Sequence, residues 1–255
     1  MSIESRVPAA PSVTIAISTL GTGILTLDLP PQRAEIVWLV LVQAPPADMP
    51  PPVRADLTVV PLTGRGLSRS RNAALDHCTT PYLLFSDDDM TLRLDAVMAL
   101  AEVLEQAPEL GFVAGWRVGR RPDGAGEARL SRRNSGRICA PELLVRAAAV
   151  RDAGVRFDPA FGVGSPQPIG EDYVFVCDML HAGLKGRSVP VETGAHAGSS
   201  TGADWRDPVI QEARRAVLRR CFGPLHLPVR ALYAWHHRQD LGGLWGAVGF
   251  LSGKG

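Results

Sequence analysis

Short apolar runs alternate with amphipathic stretches through the first half of the chain, and this alternation restricts the fold more than any other feature of the sequence. Val13–Ile17, Ile36–Val42, Leu57–Val60, Tyr82–Phe85 and Phe112–Trp116 are brief and rich in β-branched or aromatic residues. They read as buried strands. Between them, residues 69–78 and 95–106 carry helical periodicity, the second with Val97, Leu100, Ala101 and Leu104 on one face. Strands separated by helices predict a mostly parallel sheet covered on both faces. In such sheets ligands sit beyond the carboxyl ends of the strands. The loop Ser18–Gly23 and the triplet Asp87-Asp88-Asp89 both fall at such ends.

The flanks are less regular. Residues 1–12 read as a leader rich in Pro, Ala and Ser, residues 13–205 as the main domain, and residues 206–255 as a helical extension opened by a basic amphipathic helix over 207–221. Prolines crowd 44–52 and exclude regular structure there. The spacing predicts helices over Pro141–Ala153 and Glu171–Ala182, a late strand at Val189–Val191, a hairpin or mobile loop over 117–137, and a loop over 158–170.

Composition narrows the function. Hydrophobic residues make up 45% of the 255, enough for a sizeable core, and the net charge of +1 argues against a broad nucleic-acid-binding surface. The four cysteines form no CxxC pair, which points away from a zinc knuckle or a disulfide scaffold and towards a reducing compartment. No signal-peptide core and no long apolar run is present, so a cytoplasmic protein is expected.

Four constellations carry chemistry. Three adjacent carboxylates at a strand end repel one another unless compensated, and a hard divalent cation (Mn²⁺ or Mg²⁺) shared with substrate phosphates would compensate them; a solvated acidic turn is the plain alternative. Alternation along a strand puts Asp87 and Asp89 on one side. Gly170-Glu171-Asp172 opens an apolar helix, where a carboxylate either caps the helix or acts as a general base. His196 follows a strand in a small-residue loop and is a candidate further metal ligand. Gly64-Arg-Gly-Leu-Ser-Arg-Ser-Arg-Asn72 is a polar helix start or a phosphate cradle, without the ending of a P-loop.

In this order the pieces resemble glycosyltransferase family two. The resemblance spans roughly residues 12–202 and rests on Ser18-Thr19 after the first strand, Gly66-Leu-Ser-Arg-Ser-Arg-Asn72, Leu84-Phe-Ser-Asp-Asp-Asp89, and Phe157-Asp-Pro-Ala-Phe-Gly162 followed by Gly170-Glu-Asp172. It implies a GT-A fold: an α/β, Rossmann-like, mostly parallel central sheet flanked by helices. It implies inverting transfer of a sugar from a nucleoside-diphosphate-sugar to a glycan, lipid-linked or small-molecule hydroxyl. By motif match, Asp172 is the base with Glu171 supporting it. Asp87, Asp89 and His196 hold the metal, and Thr19, Arg71, Asp87 and Asp88 contact the nucleotide. The family usually has an aspartate near the end of the second strand; Gln43 stands here and offers an amide to the base edge instead. Two other functions share such a sheet: nucleotidyl transfer to a sugar phosphate, and a non-catalytic nucleotide-binding scaffold. The aromatic C-terminal segment, with arginines before it, fits packing on its own domain, on a second copy in a homodimer, or on the inner face of a membrane as a peripheral contact.

Overall fold

The computed structural model describes residues 12–49, 54–196 and 201–253, with His196 described in its backbone only. Most of the leader and part of the proline-rich segment lie outside these residues.

Among the described residues nine strands form one sheet in the order β3-β2-β1-β4-β8-β6-β9-β5, with β7 on β9. The strands are β1 (Val13–Leu20), β2 (Ile36–Gln43), β3 (Leu57–Leu62), β4 (Tyr82–Asp87), β5 (Met90–Leu92), β6 (Leu110–Arg117), β7 (Ala128–Arg129), β8 (Leu143–Arg146) and β9 (Lys185–His196). The half built from β3, β2, β1 and β4 is parallel. Beyond β4 the sheet is mixed: β8 runs antiparallel to β4 and β6, while β6 and β9 are parallel. The chain leaves β1 to pair β2 on one side and returns to pair β4 on the other. The crevice between the ends of β1 and β4 is therefore the topological switch point, where such sheets bind ligands.

Side chains alternate between two cores, as pleating requires. Ala16, Leu39, Leu83, Phe85 and Val145 face α1 (Leu67–His77) and the later helix α4 (Glu171–His181). Ile15, Val40, Leu84, Val113 and Leu144 face α2 (Leu94–Gln106), through Val97, Leu100, Ala101 and Leu104. The sheet is thus buried on both faces, which explains its near-continuous apolar strands.

One expected element is corrected. Pro141–Ala153 is not one helix; a single turn at Ala140–Glu142 leads into β8, and only α3 (Ala147–Asp152) is helical. Leu143, Leu144 and Val145 are fully buried between β4 and β6, and this burial on both faces overrides the helical signal of the proline and the alanines.

Past β9 come α5 (Pro208–Phe222), α6 (His226–His236) and α7 (Leu244–Ser252). Asp207 caps α5 by accepting from the Val209 N–H at 2.8 Å, with proline at the first helical position. Val217 and Cys221 of α5 pack on Phe161 and Val174, and Leu218 joins Ala234, Ala247 and Phe250 in a separate small core.

Candidate active site

The strand ends bring the acidic motifs together around one arginine. Arg71 lies in the first turns of α1, and its side chain is only 2% exposed. Its Nη2 donates to Asp87 Oδ1 at 3.2 Å, and its Nη1 donates to Glu171 Oε1 at 3.1 Å and also to Asp172 Oδ1. Asp87 ends β4, whereas Glu171 and Asp172 open α4. A single buried guanidinium therefore joins the two carboxylate groups that the sequence left nearly a third of the chain apart. Burial alone would push Arg71 down; the carboxylates, Asp172 first, outweigh it and hold the cation above its ordinary value. Its Nε has no hydrogen-bond partner among the described residues.

Asp172 is held at both oxygens, since Oδ2 accepts from the Ala140 N–H at 2.9 Å. Burial raises its pKa; Arg71 pulls it back down, Glu171 and Asp87 push it up again, and the result is pushed up to about 7. Two glycines permit this placement. Gly170 precedes α4 at φ 97°, in the left-handed region, and a Cβ there would meet Val217 Cγ2 at 2.2 Å. Gly162, at φ 98°, leaves room for the Glu171 side chain, 3.2 Å from where its Cβ would stand.

On the opposite wall, Thr19 at the end of β1 donates to Asp88 Oδ2 at 2.5 Å. Gly23 lies against this pair: a Cβ there would approach Thr19 Oγ1 to 2.4 Å and Asp88 Oδ2 to 2.7 Å. Strand β4 stops at Asp87, so Asp88 and Asp89 form the turn into β5 and both are exposed. The strand alternation expected to align Asp87 with Asp89 therefore does not extend to Asp89. His196 ends β9, its backbone paired with Met90 in β5; its side chain lies outside the described residues.

The polar helix start differs most from expectation. Arg71, expected against the nucleotide, is turned inward. Gln43, expected to read the base, is buried and accepts the Gly66 N–H at Oε1, 2.7 Å away. Ser70 bonds Ser18 at 2.7 Å, Ser68 donates to the Phe161 carbonyl at 2.6 Å, and Asn72 brackets Phe157 with two backbone bonds of 2.8 Å. Phe157 in turn stacks on Phe175 at 3.9 Å and lies 5.6 Å from the Arg71 guanidinium carbon. The start of α1 thus anchors both the first strand and the 157–170 segment. Sequence reasoning did not find the roles of Ser70, Asn72 and the Ala140 N–H; the small-polar run Ser68–Asn72 was the available signal. Gly66, Arg65, Arg69, Phe161 and Gly164 line a cavity of about 180 Å³ between this helix start and that segment.

No group of three or more His, Cys, Asp and Glu that could hold a metal by itself occurs among the described residues. The carboxylates at the β4 end still suit a hard cation, because such ions are commonly held by one or two carboxylates together with substrate phosphates.

Residues 54–149, which carry β3 to β8 and the aspartate triplet, match the family model of glycosyl transferase family 2. The match covers 96 of the 255 residues, and it marks this part of the chain as similar to that family. Among solved structures, the mannosyltransferase PcManGT from Pyrobaculum calidifontis, in complex with GDP-Man and Mn²⁺, is similar at TM-score 0.62 and 18% identity, over 96% of this chain and 75% of that one. TarS of S. aureus, residues 1–349 in complex with UDP, is similar at TM-score 0.58 and 13% identity, over 90% and 72%. Against the longer TarS structure, with the same score and identity, 91% of this chain spans 44% of that chain. Identities this low establish the GT-A fold and no more. No curated protein matches the sequence.

Proposed function

We propose that this chain is a metal-dependent, inverting glycosyltransferase of family 2 that moves a sugar from a nucleoside-diphosphate-sugar to an acceptor hydroxyl. The observation that carries the reading is the Arg71 bridge, which holds the strand-end aspartate and the α4 carboxylates around one buried charge at the switch point. The complexes of PcManGT with GDP-Man and Mn²⁺ and of TarS with UDP support a nucleotide-sugar donor.

Asp172 is the base on this reading. A base working near neutrality is best served by a pKa near 7, and burial provides that here. Its carboxylate accepts the acceptor proton as the hydroxyl attacks the anomeric carbon, and Glu171 keeps Arg71 in place beside it. Attack from the side opposite the departing diphosphate inverts that carbon. Asp87 and Asp89 would hold the divalent cation, with His196 a further candidate ligand. When bound, the cation neutralises charge on the departing diphosphate. Thr19 and Asp88 form the wall that the nucleotide meets, and Gln43 fixes the Gly66 loop beside it. Arg71 does not touch the donor; it sets the spacing between donor and acceptor carboxylates.

Thermal unfolding with UDP, GDP, CDP or dTDP tests the reading. One of them, with Mn²⁺, is expected to raise the melting temperature, and Asp89→Ala is expected to remove the metal-dependent part of the rise. No rise with any of the four, in a protein that unfolds cooperatively, counts against nucleotide-sugar transfer.

A further inference from the structure

The C-terminal helices present an apolar face that the proposed reaction does not use. Ala231 and Trp235 of α6 and Leu244, Trp245, Val248 and Leu251 of α7 line an open groove of about 440 Å³. Trp245 is 86% exposed and Trp235 60%. A contiguous patch with two exposed tryptophans marks an interaction surface, not ordinary scatter of apolar residues. No helix among the described residues is long and apolar enough to cross a membrane.

Charge identifies the partner. Residues 213–239 contain six arginines and no acidic residue. Three of the six are engaged within the protein: Arg214 bonds Tyr233 and the Gly202 carbonyl, Arg215 pairs with Glu212, and Arg220 pairs with Asp158 and Asp178. The others gather near the groove. Arg230 bonds the Leu251 carbonyl at one end, and Arg238 lies 4.7 Å over the Trp235 ring at the other. Arg215 lies over Phe250, and Arg219 is exposed without an ion pair among the described residues. Burial first, then repulsion from Arg215 and Arg219, holds Arg230 below its ordinary value against the pull of Glu212. Arg215 Nη1 and Arg230 Nε are buried with no hydrogen-bond partner among the described residues. Arginines in excess of the acid Glu212, beside exposed tryptophans and leucines, match an anionic, amphipathic partner.

We propose that the α5–α7 face docks on an anionic lipid surface, with Trp235, Trp245 and Leu244 entering the headgroup boundary and Arg219, Arg230 and Arg238 meeting the phosphates. A second copy is a poorer occupant, because a two-fold contact through the groove brings the same arginine rim from both copies together.

Co-sedimentation of the full chain with vesicles tests this. Vesicles of phosphatidylcholine and phosphatidylglycerol are expected to carry the protein down with a blue shift of tryptophan emission, weakened by high salt, while phosphatidylcholine alone carries little. Trp245→Ser is expected to lower the affinity about tenfold, and Arg219→Glu by roughly fivefold or more, each with an unchanged melting temperature because both side chains are exposed. Absence of binding to the anionic vesicles, or equal binding to the neutral ones, overturns the proposal. So does a Trp245-dependent dimer in analytical ultracentrifugation that stays off vesicles, which would assign the groove to a second copy.

Discussion

Replacing Arg71 with methionine isolates what holds the site together. The change keeps the buried volume but removes the guanidinium that bonds Asp87, Glu171 and Asp172 together. Asp87 is 31% exposed and can re-solvate, so it contributes little to the loss. Glu171 and Asp172 are 11% and 14% exposed and cannot. Breaking a buried ion pair from one side costs about 3–5 kcal/mol, a large share of the roughly 5–15 kcal/mol that holds a domain folded. The loss depends on pH with a definite sign. Asp172 is already pushed up to about 7 by burial, and Arg71 is the strongest influence holding it down. Without Arg71 the carboxyl rises further and escapes the penalty by taking a proton. The difference between wild type and Arg71→Met is therefore largest near pH 8, where the charge must be buried alone, and shrinks towards pH 5. Urea unfolding followed by tryptophan emission at the two pH values measures it. Arg71→Lys keeps a charge but cannot fork to three carboxylates, and is expected to fall between the two. A loss under about 1 kcal/mol at pH 8, or the same loss at both pH values, would refute the bridge as the element that joins the two motifs.

Four further outcomes follow from the same geometry. Asp172→Asn is expected to lower transfer by roughly 10²–10⁴-fold while leaving nucleotide-induced thermal stabilisation intact, as read by parallel transfer and melting assays. Because the Asp172 pKa is raised, its favourable contribution to stability is complete below the ordinary aspartate value and is lost as pH rises through about 7; wild type loses stability over that window, and Asp172→Asn is expected to flatten the loss in pH-stepped urea titrations. Gly170→Ala forces a Cβ to 2.2 Å from Val217 at φ 97° and is expected to destabilise by about 2 kcal/mol or more, measured by chemical denaturation. Gly23→Ala pushes on the Thr19–Asp88 hydrogen bond without backbone strain, so it is expected to raise the donor KM with little change in unfolding midpoint.

The parallel half of the sheet was legible because both its faces are covered, which leaves short β-branched runs that fit neither an amphipathic helix nor a half-exposed strand. β8 was not legible for the same reason taken further. Leu143–Val145 is an apolar run of three behind a proline and ahead of three alanines, and only its insertion between β4 and β6 makes it a strand. Asp87, Glu171 and Asp172 could be singled out by residue type and position at element ends. Arg71 could be singled out as a cation near phosphate chemistry, but its partners lie 16, 100 and 101 residues away. Local pattern cannot distinguish a guanidinium turned outward to a ligand from one turned inward to three acids. Gln43 fails in the same way, since its amide serves a loop 23 residues on.

The inward arginine also constrains how the proposed base can work. Asp172 gives one lone pair of Oδ1 to Arg71 and one of Oδ2 to the Ala140 N–H, yet an ionised carboxylate offers about four acceptor sites. The remaining sites are reached only through the small exposed part of the side chain, so an acceptor hydroxyl has few directions of approach. The Ala140 N–H comes from the turn that leads into β8, and Arg71 comes from the helix anchored to β1 through Ser70 and Ser18. The orientation of the base is therefore fixed from two central strands of the sheet, not from the 158–170 loop beside it. Substitutions confined to that loop can then change which hydroxyl arrives while the proton acceptor stays where it is.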